Sequence, residues 1–139
     1  MASALTPADE RQLLELMLHM AARKTPVEIV GGGSKRALGR PVGAEHRIAL
    51  SGLSGIELYE PEELVLTAWA GTRLALIESA LATHRQMLAF EPIDYGPLLG
   101  GAPGAATIGG VLAANLSGPR RPKAGAARDH FLGAEGVSG

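Results

Sequence analysis

The alternation of apolar and polar residues along the chain predicts a mixture of helices and short strands. A first helix is predicted to begin with Thr6 as its cap, Pro7 in the first helical position and Asp9 completing a capping pattern. Leucines and methionines continue it to about Lys24, before Pro26. Apolar runs then predict strands at residues 27–30, 47–50, 56–59 and 64–69. The last of these is apolar enough to be a central strand.

The pattern in the second half of the chain also predicts a mixture of helices and strands. A helix is predicted to open at residues 71–72, with Thr72 as its candidate cap and an apolar stripe behind it. The remaining predicted elements are a strand at 87–90, a loop at 96–104, a short helix at 107–115 and a strand at 131–137. This order of elements predicts an α+β domain.

Composition narrows the possible functions. The 139 residues suffice for one domain with a hydrophobic core. The formal net charge of -1 disfavours a general nucleic-acid binder, which needs a basic surface. The absence of cysteine excludes disulfides, thiolate metal ligands, a cysteine nucleophile and a cysteinyl flavin link. It also fits a reducing compartment, and the N-terminus lacks the basic start and apolar run of a signal peptide. We therefore expect a cytoplasmic protein.

The end of the chain has an unusual pattern. Residues 136–139 stop inside what is predicted to be a strand and its turn. No terminal element follows that could close a core, so we expect a truncated domain.

The first glycine-rich segment follows the strand at residues 27–30 and consists of Gly31, Gly32, Gly33, Ser34 and Lys35. Consecutive glycines let backbone N–H groups converge on one anion, while Ser34 adds a hydroxyl and Lys35 a positive charge. Pyrophosphate is the expected ligand of such a loop. The alternative interpretation, a flexible turn between two strands without a ligand, is equally good. No Walker loop is present. The dinucleotide fingerprint fails as well, because Arg36 stands where it needs a third glycine.

The second glycine-rich segment covers residues 105–118, with Gly109 and Gly110 at the start of the predicted short helix. Paired glycines at a helix start are expected to expose unpaired amides, which favour negative charge or carbonyl oxygens. The small residues behind them let a flat ligand approach the backbone. Tight packing of helix on sheet is the alternative. Two such segments in one chain favour a bound cofactor.

Other polar residues are less informative. None of the four histidines has the spacing or the companion residues of a metal ligand, so no metal site is predicted. Arg120, Arg121 and Lys123 form a basic run that is typical of a solvated loop, with a phosphate or partner contact as the weaker alternative. Asp129, next to Arg128, indicates an ion pair or a turn.

Taken together, the two segments resemble the FAD-binding domain of the vanillyl-alcohol oxidase and p-cresol methylhydroxylase (PCMH) superfamily. Within it, the chain is most similar to the FAD-binding subunits of bacterial glycolate oxidases. The similarity covers nearly the whole chain after the first helix. The runs that carry it are residues 33–35, 38–41, 60–65, 70–72, 77–78, 86–92, 106–110, 116–122 and 128–129.

The resemblance implies a PCMH-type fold with an N-terminal helix over residues 1–24, a first α/β subdomain over 27–90 and the start of a second subdomain over 91–139. It implies that FAD binds with its pyrophosphate at residues 31–35. The expected cofactor-binding residues are Gly31, Gly32, Gly33, Ser34, Lys35, Thr107, Ile108, Gly109, Gly110, Ser117, Gly118 and Asp129. The pyrophosphate loop has neither His nor Cys, so non-covalent binding is expected.

The resemblance also implies an activity, the oxidation of glycolate or a similar 2-hydroxy acid by hydride transfer from C2 to the flavin. It implies a complex with a flavoprotein-like subunit and an iron–sulfur subunit, peripheral at the inner membrane if the complex sits there. The 139-residue chain by itself is expected to be inactive, and no catalytic base is assigned. One alternative is a D-lactate-type dehydrogenase. Another, from a different class, is a non-catalytic assembly module whose glycines serve packing.

Overall fold

The structure, a computed structural model, describes residues 3–138, and they form two small sheets with helices packed around them. The elements, in chain order, are β1 (Ser3–Leu5), α1 (Glu10–Ala22), β2 (Val27–Val30), β3 (His46–Ala49), β4 (Ile56–Glu60), β5 (Val65–Ala68), α2 (Leu74–Thr83), α3 (Tyr95–Leu98), α4 (Ile108–Ala114) and α5 (Arg121–Ala124), with single 3-10 turns at Leu50–Gly52 and Ala127–His130. This mixture confirms the α+β prediction. Within residues 3–138 no helix is long and apolar enough to cross a membrane.

The first sheet is parallel and has the order β1-β3-β2. Its central residue is Ile48, which is fully buried and pairs with Leu5 on one side and Ile29 on the other. Helix α1 connects β1 to β2, as a parallel pairing requires. The three-residue strand β1 was not predicted from the sequence, because three residues are too few to show an alternating pattern.

The second sheet is an antiparallel hairpin of β4 and β5. The prediction that residues 64–69 form a central strand is wrong, because β5 pairs only with β4 among the described residues. Leu64 itself lies in the turn with φ 57° and is 77% exposed. Its apolar side chain gave the run the appearance of a buried strand.

Both predicted caps of the long helices need correction. Asp9, not Thr6, caps α1, and its Oδ1 accepts a hydrogen bond from the Gln12 amide at 2.8 Å. Arg73 is the N-cap residue of α2. Thr72 is fully buried, and its hydroxyl instead accepts from the Gly55 amide at 2.9 Å and donates to the Gly55 carbonyl at 3.0 Å.

Two predicted strands and part of a predicted loop are also wrong. Residues 87–90 and 131–137 form no strand in the described chain, and residues 96–98 belong to α3. Neither apolar run finds a strand edge to pair with. Phe90 is instead buried in the core cluster, whereas Leu132 is 83% exposed. The apolar character of residues 87–90 therefore reflects core packing and not strand pairing.

The short helix predicted at residues 107–115 is confirmed as α4. Thr107 caps its start, and Asn115 ends it in the left-handed conformation, with φ 48°. The helix is held by a hydrophobic core of Leu74, Phe90, Ala106, Val111 and Ala127. This core joins α2, α4 and the 3-10 turn Ala127–His130, and so fixes the second glycine-rich segment against the rest of the fold.

Candidate functional site

The fold brings the two glycine-rich segments into direct contact, although about 70 residues separate them in sequence. A Cβ atom on Gly31 would overlap the Thr107 Oγ1, and one on Gly32 would overlap the carbonyl oxygen of Ala105. Only glycine allows the backbone after β2 to approach the segment before α4 so closely. Gly31, Gly32 and Thr107, all predicted from the sequence, therefore lie together.

The loop after β2 offers backbone donors. Gly33 has φ +73°, and the turn that follows it is closed by hydrogen bonds from the Arg36 amide to the Gly33 carbonyl and from the Leu38 amide to the Lys35 carbonyl. Within residues 3–138, the amides of Gly33, Ser34 and Lys35 donate no hydrogen bond. Consecutive free N–H groups with a lysine beside them are the donor set that phosphate oxygens require.

The Lys35 side chain extends from this loop to the first residue of α3. Its Nζ is 5.7 Å from the centroid of the Tyr95 ring. Burial lowers the pKa of Lys35 from its ordinary value, and the nearby Asp94 carboxylate partly opposes that shift. The pKa of Asp94 is lowered in turn, chiefly by hydrogen bonds from the Gly104 and Gly96 amides. The ammonium group is thus partly withdrawn from water beside the loop.

An ion cluster fixes the other end of the loop to the sheet. Glu28, on β2, accepts from the Arg36 Nε at 2.7 Å and from the Arg47 Nε at 3.0 Å. These two arginines, with Arg36 the larger influence, lower the pKa of Glu28. Because Arg47 is on β3, the cluster joins two strands to the loop that follows Lys35.

The start of α4 does not expose unpaired amides, so that part of the sequence interpretation is wrong. The Ile108 amide donates to the Thr72 carbonyl at 3.0 Å, and the Gly109 amide donates to the Ala70 carbonyl at 2.9 Å. The Gly110 amide donates to the Thr107 Oγ1 at 3.4 Å. A Cβ on Gly109 would lie 2.8 Å from the Ala70 Cβ, which is the tight packing considered as the alternative.

The remaining predicted residues lie together beyond the C-terminal end of α4. The Ser117 Oγ is buried and has no hydrogen-bond partner in the described chain. Gly118 is buried against Glu91, whose carbonyl accepts from the Gly118 amide at 2.8 Å. Asp129 is exposed, and its Oδ2 closes the 3-10 turn by accepting from the Ala126 amide at 2.7 Å. Ser117 is therefore the member of this group with an unmet hydrogen-bonding need.

Sequence reasoning missed three residues that shape the site, namely Arg73, Asp94 and Tyr95. The signal for Asp94 was available, since an Asp two residues before a glycine is typical of a side chain that turns back onto its own backbone. Tyr95 and Arg73 gave no such signal. Their contacts with Lys35 and Gly104 depend on tertiary structure.

Residues 1–139 match the family described as FAD binding domain, and the chain belongs to that family. The fold and the family match thus define an FAD-binding domain, with FAD as its cofactor. One relative points to a particular kind of flavoprotein. The chain is 43% identical over 127 residues to the glycolate oxidase subunit GlcE of Escherichia coli (strain K12). That match covers 91% of this chain and 34% of the relative, so the chain spans about a third of the length of the protein that it resembles.

Solved structures share the fold. Alkyldihydroxyacetonephosphate synthase is similar with a TM-score of 0.70 and 21% identity, over 91% of this chain and 23% of that one. Cholesterol oxidase from B. sterolicum is similar with a TM-score of 0.56 and 24% identity, over 83% of this chain and 21% of that one. At such low identity the likeness concerns the fold alone, and together with the family match it confirms the prediction of a PCMH-type FAD-binding domain.

Proposed function

We propose that this chain is the FAD-binding part of a flavin-dependent 2-hydroxy-acid oxidoreductase and that it holds the pyrophosphate of FAD at residues 31–35. The observation that carries the proposal is the glycine loop itself, which packs on the second segment and in which the amides of Gly33, Ser34 and Lys35 donate no hydrogen bond within residues 3–138. This donor set fits a pyrophosphate. The Ser117 hydroxyl beyond α4, buried and without a partner among the described residues, is a further group that a ligand could satisfy.

Within this proposal the predicted residues divide by role. Gly33, Ser34 and Lys35 donate to the phosphate oxygens, while Gly31 and Gly32 let the loop pack against the second segment. Residues 107–110 form a wall beside the flavin through their surface, since the amides of Ile108, Gly109 and Gly110 donate within the protein. Ser117 supplies a hydroxyl, and Gly118 and Asp129 shape the neighbouring turn. We also propose the division into residues 1–24, 27–90 and 91–139.

Glycolate is the proposed substrate of the whole enzyme, with glyoxylate as the product. The 43% identity to the glycolate oxidase subunit of E. coli supports this choice. Bound FAD would supply the acceptor for the hydride from C2 of the 2-hydroxy acid, and residues 31–35 would hold it by its pyrophosphate. By the same similarity we propose that the chain works in a cytoplasmic complex with a flavoprotein subunit and an iron–sulfur subunit.

Non-covalent attachment of FAD is part of the proposal. The chain has no cysteine, and residues 31–35 include no histidine. His130, in the 3-10 turn, is engaged with the Ala124 carbonyl at 2.9 Å. The proposed pyrophosphate loop thus contains neither a cysteine nor a histidine side chain to which the flavin could be linked.

The test is a titration of FAD with the purified chain, followed by flavin fluorescence. A saturable change that ADP reverses by competition is expected, because ADP carries the pyrophosphate that the loop binds. Lys35→Met should weaken binding about tenfold, the effect of one charge-assisted hydrogen bond. Lys123→Met, which removes an exposed lysine in α5, should leave it unchanged. Equal affinity of the two variants would contradict the proposed loop.

A further inference from the structure

The segment that follows Phe90 contains a closed loop, residues 94–104, which the proposed function does not explain. Asp94 closes it, because its Oδ1 accepts from the Gly96 amide at 3.0 Å and its Oδ2 accepts from the Gly104 amide at 2.7 Å. A further hydrogen bond of 2.7 Å runs from the Gly101 amide to the Gly96 carbonyl. Both carboxylate oxygens of Asp94 thus accept hydrogen bonds from backbone amides, and these bonds fix the shape of the loop.

This loop is tied to the proposed FAD site. The Arg73 Nη1 donates to the Gly104 carbonyl at 2.9 Å, and Arg73 also forms an antiparallel bridge with Thr107. Thr107 is the residue on which Gly31 packs. The closed loop, the start of α4 and the glycine loop are therefore connected in one short chain of contacts.

The loop presents Tyr95 to Lys35. The distance of 5.7 Å from the Lys35 Nζ to the ring centroid lies within the range of cation–π attraction. Among the described residues, no carboxylate oxygen lies within 4.0 Å of this Nζ. Asp94 acts on the ammonium only through its more distant charge. An ammonium held by an aromatic face, and not by an ion pair, keeps its N–H donors available for a phosphate.

We propose that Asp94 and Tyr95 are positioning residues that hold the Lys35 ammonium ready for the pyrophosphate of FAD. Tyr95 provides the surface on which the lysine rests, and Asp94 fastens the loop that carries Tyr95. The proposal rests on the proposed function, since it assigns a role within the same site. A purely structural role for the loop would leave the position of Lys35 independent of both residues.

The first test concerns the free protein and needs no FAD. The chain has three lysines, Lys24, Lys35 and Lys123, and reductive methylation with ¹³C-formaldehyde labels each one while keeping its charge. We expect the Lys35 methyl signal, assigned through Lys35→Arg, to be shifted by the aromatic ring. Tyr95→Leu should abolish that shift, Tyr95→Phe should keep it, and Asp94→Asn should reduce it. A Lys35 signal that matches those of the other two lysines would overturn the proposal.

Asp94→Asn is a suitable change because it keeps the size of the side chain. Its amide nitrogen is a donor where an acceptor is needed, so the Gly96 or the Gly104 amide loses its partner. Thermal unfolding of each variant provides the control for loss of fold. A variant that unfolds at the temperature of the wild-type chain, yet shows the changed lysine signal, isolates the positioning effect.

The second test is a double-mutant cycle on the affinity for FAD. Tyr95→Leu and Asp94→Asn should each weaken binding several-fold in the wild-type chain, up to the roughly tenfold loss expected for Lys35→Met. In the Lys35→Met background, neither should have a further effect, because both act through Lys35. Additive losses would overturn the positioning role. Absence of FAD binding by the wild-type chain would count against the proposed function, while the lysine signals would still decide the position of Lys35.

Discussion

Position 32 has no room for a side chain, because the carbonyl oxygen of Ala105 lies where a Cβ atom would be. Gly32→Ala must therefore push the glycine loop away from the second segment. We expect a loss of about 1–3 kcal/mol in the free energy of unfolding, as is usual when a packed site is overfilled. Urea denaturation of the variant and the wild-type chain measures this loss.

Gly43→Ala is the matched control. It lies in open space, and no atom would come within 4 Å of its new methyl group. That change should leave stability unaltered or raise it by about 0.4–1 kcal/mol, because alanine restricts the unfolded chain. Equal effects at the two positions would show that the segments do not depend on the close contact at Gly32.

The Glu28 cluster predicts a dependence of stability on pH. The pKa of Glu28 is lowered from its ordinary value of 4.5 by Arg36 and Arg47, so the folded state binds its proton less readily than the unfolded state. The stabilisation is present above pH 4.5 and is lost as the pH falls through the lowered pKa. Glu28→Gln should therefore be less stable than the wild-type chain at pH 7, and the difference should shrink in acid.

The measurement is the urea midpoint of both proteins between neutral and strongly acidic pH. Glu62→Gln removes one exposed negative charge from the hairpin turn and serves as the control for charge alone. A constant difference between Glu28→Gln and the wild-type chain across the whole range would contradict the role of the ion cluster.

At the scale of elements, Thr72 connects the hairpin to the helices. Its hydroxyl bonds Gly55 beside β4, and its carbonyl accepts from the Ile108 amide at the start of α4. Thr72→Val keeps the shape of this fully buried side chain but leaves the half-buried Gly55 amide without its partner. We expect a loss of about 1–3 kcal/mol in the free energy of unfolding, the penalty for an unpaired buried group.

Thr72→Ser provides the comparison, because it keeps the hydroxyl and loses only a methyl group. Chemical denaturation should rank the serine variant above the valine variant in stability. The opposite ranking would mean that packing at this position matters more than the hydrogen bonds to Gly55.

The elements that could be predicted are those whose signals are local. The strands β2 to β5 appeared within one residue of their positions, and α4 was predicted together with its flanking Thr107 and Asn115. The errors arose where tertiary contacts decide. Phe90 looked like part of a strand but packs in the core, and Thr72 looked like a cap but is a buried link.

The site could be predicted only in part for the same reason. The proposed anion site at residues 31–35 was suggested by their own composition, and the amides of residues 33–35, which donate no hydrogen bond in the described chain, are consistent with it. The pairing of the amides in α4 with Ala70 and Thr72 could not be read from the sequence, because it depends on how distant segments meet. The contact between Tyr95 and Lys35 could not be predicted from the sequence for the same reason.

At the scale of the whole molecule, we expect this chain to bind FAD without catalysing the oxidation of a 2-hydroxy acid. The chain spans about a third of its glycolate oxidase relative, and no catalytic base is assigned to it. We expect the chain with added FAD to show no oxidation of glycolate or of D-lactate when flavin absorbance is followed without oxygen. Bleaching of the flavin absorbance by either acid would contradict this expectation. In that case, the acid that bleaches the flavin faster would be the preferred substrate.

The most direct measurement of the central claim is an absorbance spectrum of the purified chain after FAD is added and the excess removed by gel filtration. We expect a flavin band that stays with the protein, is weaker in Lys35→Met than in the wild-type chain, and passes fully into solution when the protein is denatured. A folded wild-type chain that retains no flavin would contradict the proposed FAD site. A band that stays with the denatured protein would contradict non-covalent binding.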